Sequence, residues 1–366
     1  MASHPYRDRD RIHRCVEAIA RRVSQPWTLM EVCGGQTHAI LRHGLDRLLA
    51  PAGIALIHGP GCPVCVTPTA RIDQAIALAR TPGVILCSFG DMLRVPGSGE
   101  DLSIARARGA RVQAVYSPLD AVRLAQRQPQ DQVVFFAVGF ETTAPVTALA
   151  VLQAQALGLA NFSLLVAHVR VPPAVEALLA TPNHRIQALL AAGHVCAVMG
   201  LTEYKPLVRR FNLPVVATGF EPMDILEGVL RAVDQLEEGQ ARLENAYARA
   251  VTEDGSEGNA RRLLETVFEP ATRPWRGLGD IPNGALRLKS AWRVFDAEAR
   301  FPLNQVPESS HPDCQAAAVL TGRLNPTACP AFGRRCRPEH PLGAPMISAE
   351  GACAAYFHYR APMEGG

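Results

Sequence analysis

Residues 133–158 read VVFFAVGFETTAPVTALAVLQAQALG. The stretch opens with an apolar run of strand length, VVFFAVGF, that shows no alternation. That is the pattern of a parallel strand covered on both faces. Gly139-Phe140-Glu141 then makes a turn, and PVTALAVLQAQALG (145–158) follows with helical period. The same unit recurs along the chain. Further candidate strands are TLMEVC (28–33), IALIHG (54–59), VILCSFG (84–90), RVQAVYS (111–117), FSLLVAHV (162–169), VCAVMG (195–200) and PVVATGF (214–220). Helical patterns lie among them at 38–49, 70–80 and 118–127. Strand–helix alternation of this kind predicts an α/β protein with parallel sheets.

A weak echo points to two lobes. VVFFAVGFETT resembles VVATGFEP at 215–222: each is a strand, then Gly-Phe-Glu, then a helix. The second of these helices is predicted to run from Pro222 to about Ala248. From Glu269 the composition shifts to EPATRPWRGLGDIPNG, which reads as a domain junction. The tail from Asp313 is rich in Cys, Pro and Gly and needs a staple to fold. The expected organisation is an α/β lobe over 1–130, a second over 131–268, and a small irregular C-terminal domain over 269–366.

Composition excludes several classes. The 366 residues carry 37 basic and 34 acidic side chains, a net charge of +3, which argues against a nucleic-acid surface. No run of eighteen apolar residues predicts a membrane span. The charged start MASHPYRDRDRIHR has no apolar segment behind it, so no secretory signal is expected and the cytoplasm is the expected compartment. There thiols stay reduced unless they bind metal or do redox work, and ten cysteines therefore need an account. Cys15, Cys87 and Cys196 lie within apolar patterns and read as core.

The remaining seven form three groups. Cys314, Cys329, Cys336 and Cys353 are spaced C-x14-C-x6-C-x16-C. Spacing alone leaves three readings: an iron–sulfur cluster, a four-cysteine zinc site, or unrelated buried thiols. Cys62 and Cys65 sit in GPGCPVC, where a strand runs into a helix. That reads as a redox dithiol, half of a metal site, or two small residues filling a turn. Cys33 ends a strand in MEVCGGQTH, with His38 opening the next helix. The thiol is a candidate nucleophile or iron ligand, and His38 a candidate second ligand or base, unless it only bonds the backbone. Glu141, Glu221 and Asp224 stand at strand-to-helix turns, as a general base or cleft-lining acids on one reading and as capping residues on the other. Thr142 reads as a helix cap, and Asp91 is a further strand-end acid.

These motifs carry a resemblance. MEVCGGQTH (30–38), HGPGCPVCVTP (58–68), FGDMLRVPG (89–97), GFETT (139–143), GFEP with Asp224 (219–224) and ISAEGACAAYFHY (347–359) are similar to the HypD family of hydrogenase maturation proteins. The likeness spans nearly the whole chain. It implies two α/β lobes and a third domain holding a 4Fe-4S cluster on Cys314, Cys329, Cys336 and Cys353. It implies a scaffold on which iron acquires two cyanides and one carbon monoxide, with Cys33 holding that iron beside a HypC-type small chaperone. It further implies redox work by Cys62 and Cys65, cyanide from a HypE-type donor, and delivery to the large-subunit precursor of a nickel–iron hydrogenase. Soft thiolates suit such iron, and cluster and dithiol together suit electron supply. The competing readings are an iron–sulfur thiol/disulfide oxidoreductase acting on a protein and a zinc-stapled binding module without chemistry. One departure stands out: the family motif commonly reads CGGHTH, and Gln36 replaces its first histidine here.

Overall fold

A computed structural model of the chain describes residues 5–253, 255, 258–304 and 311–360. Its strands are β1 (Trp27–Glu31), β2 (Ile54–His58), β3 (Val84–Ser88), β4 (Val112–Ala114), β5 (Gln132–Gly139), β6 (Phe162–His168), β7 (Ala188–Ala192), β8 (Val215–Thr218), β9 (Leu243–Asn245), β10 (Phe268–Trp275) and β11 (Gly279–Leu288). Two sheets are wholly parallel, one ordered β2-β1-β7-β8-β9 and the other β4-β3-β5-β6. The α/β class with two parallel-sheet lobes is therefore present.

Both sheets share one topology. In each, the second strand lies outside the first, and the third and fourth follow on the other side. Open sheets wound this way keep their crevice beyond the carboxyl ends of the first and third strands, where the winding direction reverses. Those strands are β1 and β7 in one lobe and β3 and β5 in the other.

Strand pairing cuts across the expected boundary near residue 130. β3 and β4 lie before it yet pair with β5 and β6, while β1 and β2 pair with β7 beyond it. The chain leaves the first sheet after β2, builds the whole second sheet, and returns. Apolar parallel strands look alike locally, and nothing in such a run names its partner. The Gly-Phe-Glu echo also falls at unequal places, after the third strand of one sheet (β5) and the fourth of the other (β8).

Three local expectations are corrected. VCAVMG is not a strand: helix Gly193–Met199 covers it, and the strand is the preceding ALLAA of β7. Short apolar runs do not separate a strand from a buried helical turn. The helix from Pro222 stops at Glu237, because Gly239 takes the left-handed conformation (φ +65°) just past its end. The segment from Glu269, read as a domain junction, is regular structure: β10 and β11 form an antiparallel hairpin joined to the end of β6 by a Val169–Ala285 bridge. Trp275 of the hairpin is buried, its indole N–H donating to Gly284 O at 2.8 Å.

Buried side chains run without a break from Met30 and Leu189 in the first sheet to Phe135 and Phe162 in the second. Each such Leu or Phe contributes about 1.5–3 kcal/mol on leaving water. The lobes are thereby held by apolar packing. The tail lies on the first lobe, where its helix Ala352–Arg360 packs on helix Gly34–His43 and Arg360 pairs with Asp46.

Candidate thiol and metal site

Cys33 stands at the switch point of the first lobe. It follows β1, caps helix Gly34–His43, and is 3% exposed. Its Sγ lies 3.5 Å from Nδ1 of His194, which follows the end of β7. Burial pushes the Cys33 thiol far up and takes His194 down to about 4, so a neutral thiol faces a neutral imidazole.

The GPGCPVC turn is laid directly on this residue. Gly34 N–H donates to Gly61 O at 2.9 Å, and Gly59 N–H to Glu31 O at 2.8 Å. A methyl group on Gly61 would press into the amide nitrogen of Cys33 and lie 2.5 Å from its Cα. Only glycine allows that approach. The next residue, Cys62, is disulfide-bonded to Cys65, with Cα atoms 5.3 Å apart. Both are buried, and Cys62 caps the short helix Pro63–Val66. Cys65 Sγ lies 3.9 Å from Ala344 O in the tail, and Glu350 of the tail covers Gly34. The dithiol is thus sandwiched between the Cys33 turn and the tail.

Cys314, Cys329, Cys336 and Cys353, each half-buried, line one cavity walled also by Phe332, Leu342 and Met346. Burial raises the Cys314, Cys336 and Cys353 thiols, and the neighbouring sulfurs push the same way. A cationic metal group relieves that repulsion. Leu342 N–H donates to Cys336 Sγ at 3.4 Å, and Gly343 sits where a Cβ would strike Cys314 Sγ. Among the described residues no three His, Cys, Asp or Glu side chains converge closely enough for one metal ion. Four thiols lining one cavity are a donor set that fits a sulfur-ligated metal group. Gly343 and Pro345 of the wall flank Ala344, so the cavity reaches the dithiol through one residue.

The other expected residues are placed apart from Cys33 or given structural partners. His38 does not face the thiol; its Nε2 lies 2.8 Å from Tyr359 OH, and His194 takes the place beside Cys33. Glu221 is ion-paired with Arg7 at 2.5 and 2.8 Å. Asp224 is buried, accepts the amides of Phe220 and Glu221, and holds Arg249 in a double hydrogen bond at 2.5 and 2.6 Å. Arg249 in turn stacks on Tyr6 and Tyr247. This fork pins the turn after β8. Asp91 is exposed in the turn Gly90–Arg94. Thr142 is not the cap, since the helix after β5 starts behind Thr143. Cys15, Cys87 and Cys196 are buried as expected.

Gln36 is buried and bridges the sheet ends, its Nε2 donating to Thr218 Oγ1 at 2.6 Å and Ala191 O at 3.2 Å. An imidazole there would offer fewer donors to the same carbonyls.

Glu141 is fully buried. Its Oε1 accepts the Val171 amide at 2.9 Å, its Oε2 has no partner, and burial raises the carboxyl to about 7. A carboxyl raised above its unfolded value loses folding stability as pH climbs from that value to the folded one. Glu141→Gln is therefore expected to stabilise the protein by roughly 2 kcal/mol at pH 8 and little at pH 5. Urea midpoints at the two pH values check it, and an equal shift at both rules it out.

Sequence reasoning missed His194, Glu31 and His58. His194 was hidden because its segment reads as a strand. Glu31 and His58 lay inside the motifs, but a polar residue in a strand announces no partner until strands are paired.

The fold and site together define a class: a two-lobed, doubly wound α/β protein with a buried thiol at one switch point, a dithiol laid on it and a four-cysteine tail over both. The family described as "HypD: Hydrogenase formation hypA family" matches residues 10–360. A hydrogenase maturation factor HypD of Azotobacter vinelandii is 50% identical over 91% of this chain and 89% of its own length. The Rhodobacter capsulatus HypD is 46% identical over 95% and 93%, and that of Escherichia coli K12 is 42% identical over 97% of each. The chain belongs to the HypD family of hydrogenase maturation factors. No helix among its described residues is long and apolar enough to cross a membrane.

Proposed function

We propose that this chain is a cytoplasmic scaffold that holds an iron atom on Cys33 while the iron acquires two cyanides and one carbon monoxide. The observation that carries the reading is the placement of Cys33 at the switch point, with the Cys62–Cys65 turn packed on its backbone. Iron enters as cargo, and Cys33 meets it as a thiolate, since a coordinated thiol gives up its proton. His194 Nδ1, 3.5 Å away, is positioned to orient the sulfur. Reduced, Cys62 and Cys65 store two electrons next to the site and return them on closing the disulfide. A 4Fe-4S cluster on Cys314, Cys329, Cys336 and Cys353 would supply electrons singly.

A HypC-type small chaperone shares the iron, a HypE-type donor brings cyanide, and the finished unit passes to the hydrogenase large-subunit precursor. Glu221, Asp224 and His38 serve structural contacts, to Arg7, Arg249 and Tyr359, and take no step of this reaction. The oxidoreductase alternative gives no task to Cys33, although the dithiol turn is packed on its backbone.

Infrared spectra of anaerobically purified protein with its small partner test the reading. Cyanide and carbonyl stretches are expected in the wild type and absent in Cys33→Ala. Bands of equal strength in both would remove Cys33 from the iron. Their absence from both, in a cluster-containing sample made with an active maturation pathway, would favour the oxidoreductase.

A further inference from the structure

Glu31 has no part in the reading above, yet it is fully buried at the end of β1. Its Oε2 accepts the Cys33 amide at 2.7 Å, and its Oε1 accepts the Thr37 hydroxyl. The same Oε1 lies 2.6 Å from Nδ1 of His58, its register partner on β2. His58 is buried too, and its Nε2 lies 3.2 Å from Tyr356 OH. Asn325 Nδ2 donates to that hydroxyl at 3.1 Å. One proton arrangement satisfies every member. Nδ1 facing a carboxylate carries the imidazole proton, so Nε2 accepts from Tyr356, whose oxygen accepts from Asn325. Donors run from Asn325 through Tyr356 and His58 to Glu31, which accepts the Cys33 amide from the other side.

Its two ends belong to different parts of the molecule. Tyr356 lies three residues beyond Cys353, and Asn325 four before Cys329, so both are set by how the tail folds around its cysteines. Glu31 sets the amide of Cys33. A buried polar chain with every member paired fixes one geometry, and loss of a link leaves the next group unsatisfied.

We propose that Glu31, His58 and Tyr356 are positioning residues that make the conformation of Cys33 depend on the assembled state of the cysteine-rich tail. Before the tail closes around its metal group, Tyr356 is not held against His58, and the Cys33 turn is loose. Once it closes, Cys33 is locked for iron. The device orders assembly, so that iron is accepted only by a chain whose tail is complete. The proposal rests on the cluster reading given above.

Tyr356→Phe removes the hydroxyl without removing the tail, which separates the relay from simple uncovering of Cys33 by loss of Glu350. The measurement is the rate of N-ethylmaleimide labelling of Cys33, read by peptide mass spectrometry on full-length protein with the Cys62–Cys65 disulfide closed. Iron and sulfide are assayed on the same samples. Tyr356→Phe is expected to keep its iron and sulfide and to label at Cys33 about tenfold faster than wild type, the factor that follows from loss of one buried hydrogen bond. Chelator-stripped wild type is expected to label at least as fast. Cys196, buried but outside the relay, serves as the reference for general loosening, and its rate is expected to stay unchanged. Asn325→Ala, at the far end, gives a weaker effect of the same sign and stands in if Tyr356→Phe does not fold. An unchanged Cys33 rate in a cluster-containing variant overturns the relay, as does equal acceleration at Cys196. Wild type that holds no iron or sulfide defeats the cluster reading instead, and the Tyr356→Phe comparison then still reads the relay.

Discussion

Gly61→Ala is expected to destabilise the protein by about 3 kcal/mol or more and to displace Cys33. The added methyl would meet three backbone atoms at once: the nitrogen of Cys33, its Cα at 2.5 Å and the carbonyl carbon of Val32 at 2.5 Å. None is the end of a flexible side chain, so one of the two turns must move. Moving them breaks the Gly34 N–H bond to Gly61 O and separates the dithiol from the thiol. Gly99→Ala is the control, because nothing lies within 4 Å of where its methyl would stand and its φ is not left-handed. Urea unfolding of both variants, beside Cys33 labelling, gives the comparison. A Gly61→Ala midpoint within error of Gly99→Ala would mean that the two turns are not in contact.

Cys353→Ala is expected to abolish the brown colour, to drop iron and sulfide together, and to make residues 311–360 protease-sensitive while the two lobes stay folded. The tail has little regular structure besides the short helices Ala316–Leu320 and Ala352–Arg360, and a segment so poor in apolar core depends on its staple. Cys353 begins the turn that carries Tyr356 and Tyr359 onto the first lobe, so the loss also releases the contacts to His58 and His38. Cys87→Ala, a core thiol of β3, is expected to keep full iron and sulfide. Equal iron and sulfide in Cys353→Ala and wild type would exclude Cys353 as a ligand and reopen the choice of donor.

Much of the site was legible before folding. Cys33, Cys62 and Cys65 stand where strands run into glycine-bearing turns, and strand ends are where α/β sheets keep their chemistry. The four tail cysteines stood out because they are concentrated in an irregular segment, where a metal staple is one of the readings that spacing leaves open. The acids fared differently. Glu221 looked like Glu141 in sequence, each following Gly-Phe, and Asp224 stood three residues beyond Glu221. Only the partners separate them: Arg7 and Arg249 neutralise Glu221 and Asp224, while Glu141 is left with one unpaired oxygen. His38 and His194 exchange roles for a similar reason, since proximity along the chain favoured His38 and proximity in space belongs to His194.

Periodicity, run length and turn residues act over a few positions, so the sequence by itself determined the α/β class, most strand and helix positions and the grouping of thiols. Partner choice between parallel strands depends on contacts far apart in the chain and on burial that no local run records. The tertiary structure alone decided that β1 lies between β2 and β7, that the second lobe is inserted within the first, and that Glu31, His58 and Tyr356 join across nearly the whole length of the chain. The physical reason is the same in each case: a buried polar group or an apolar strand needs a partner, but its own sequence states only the need.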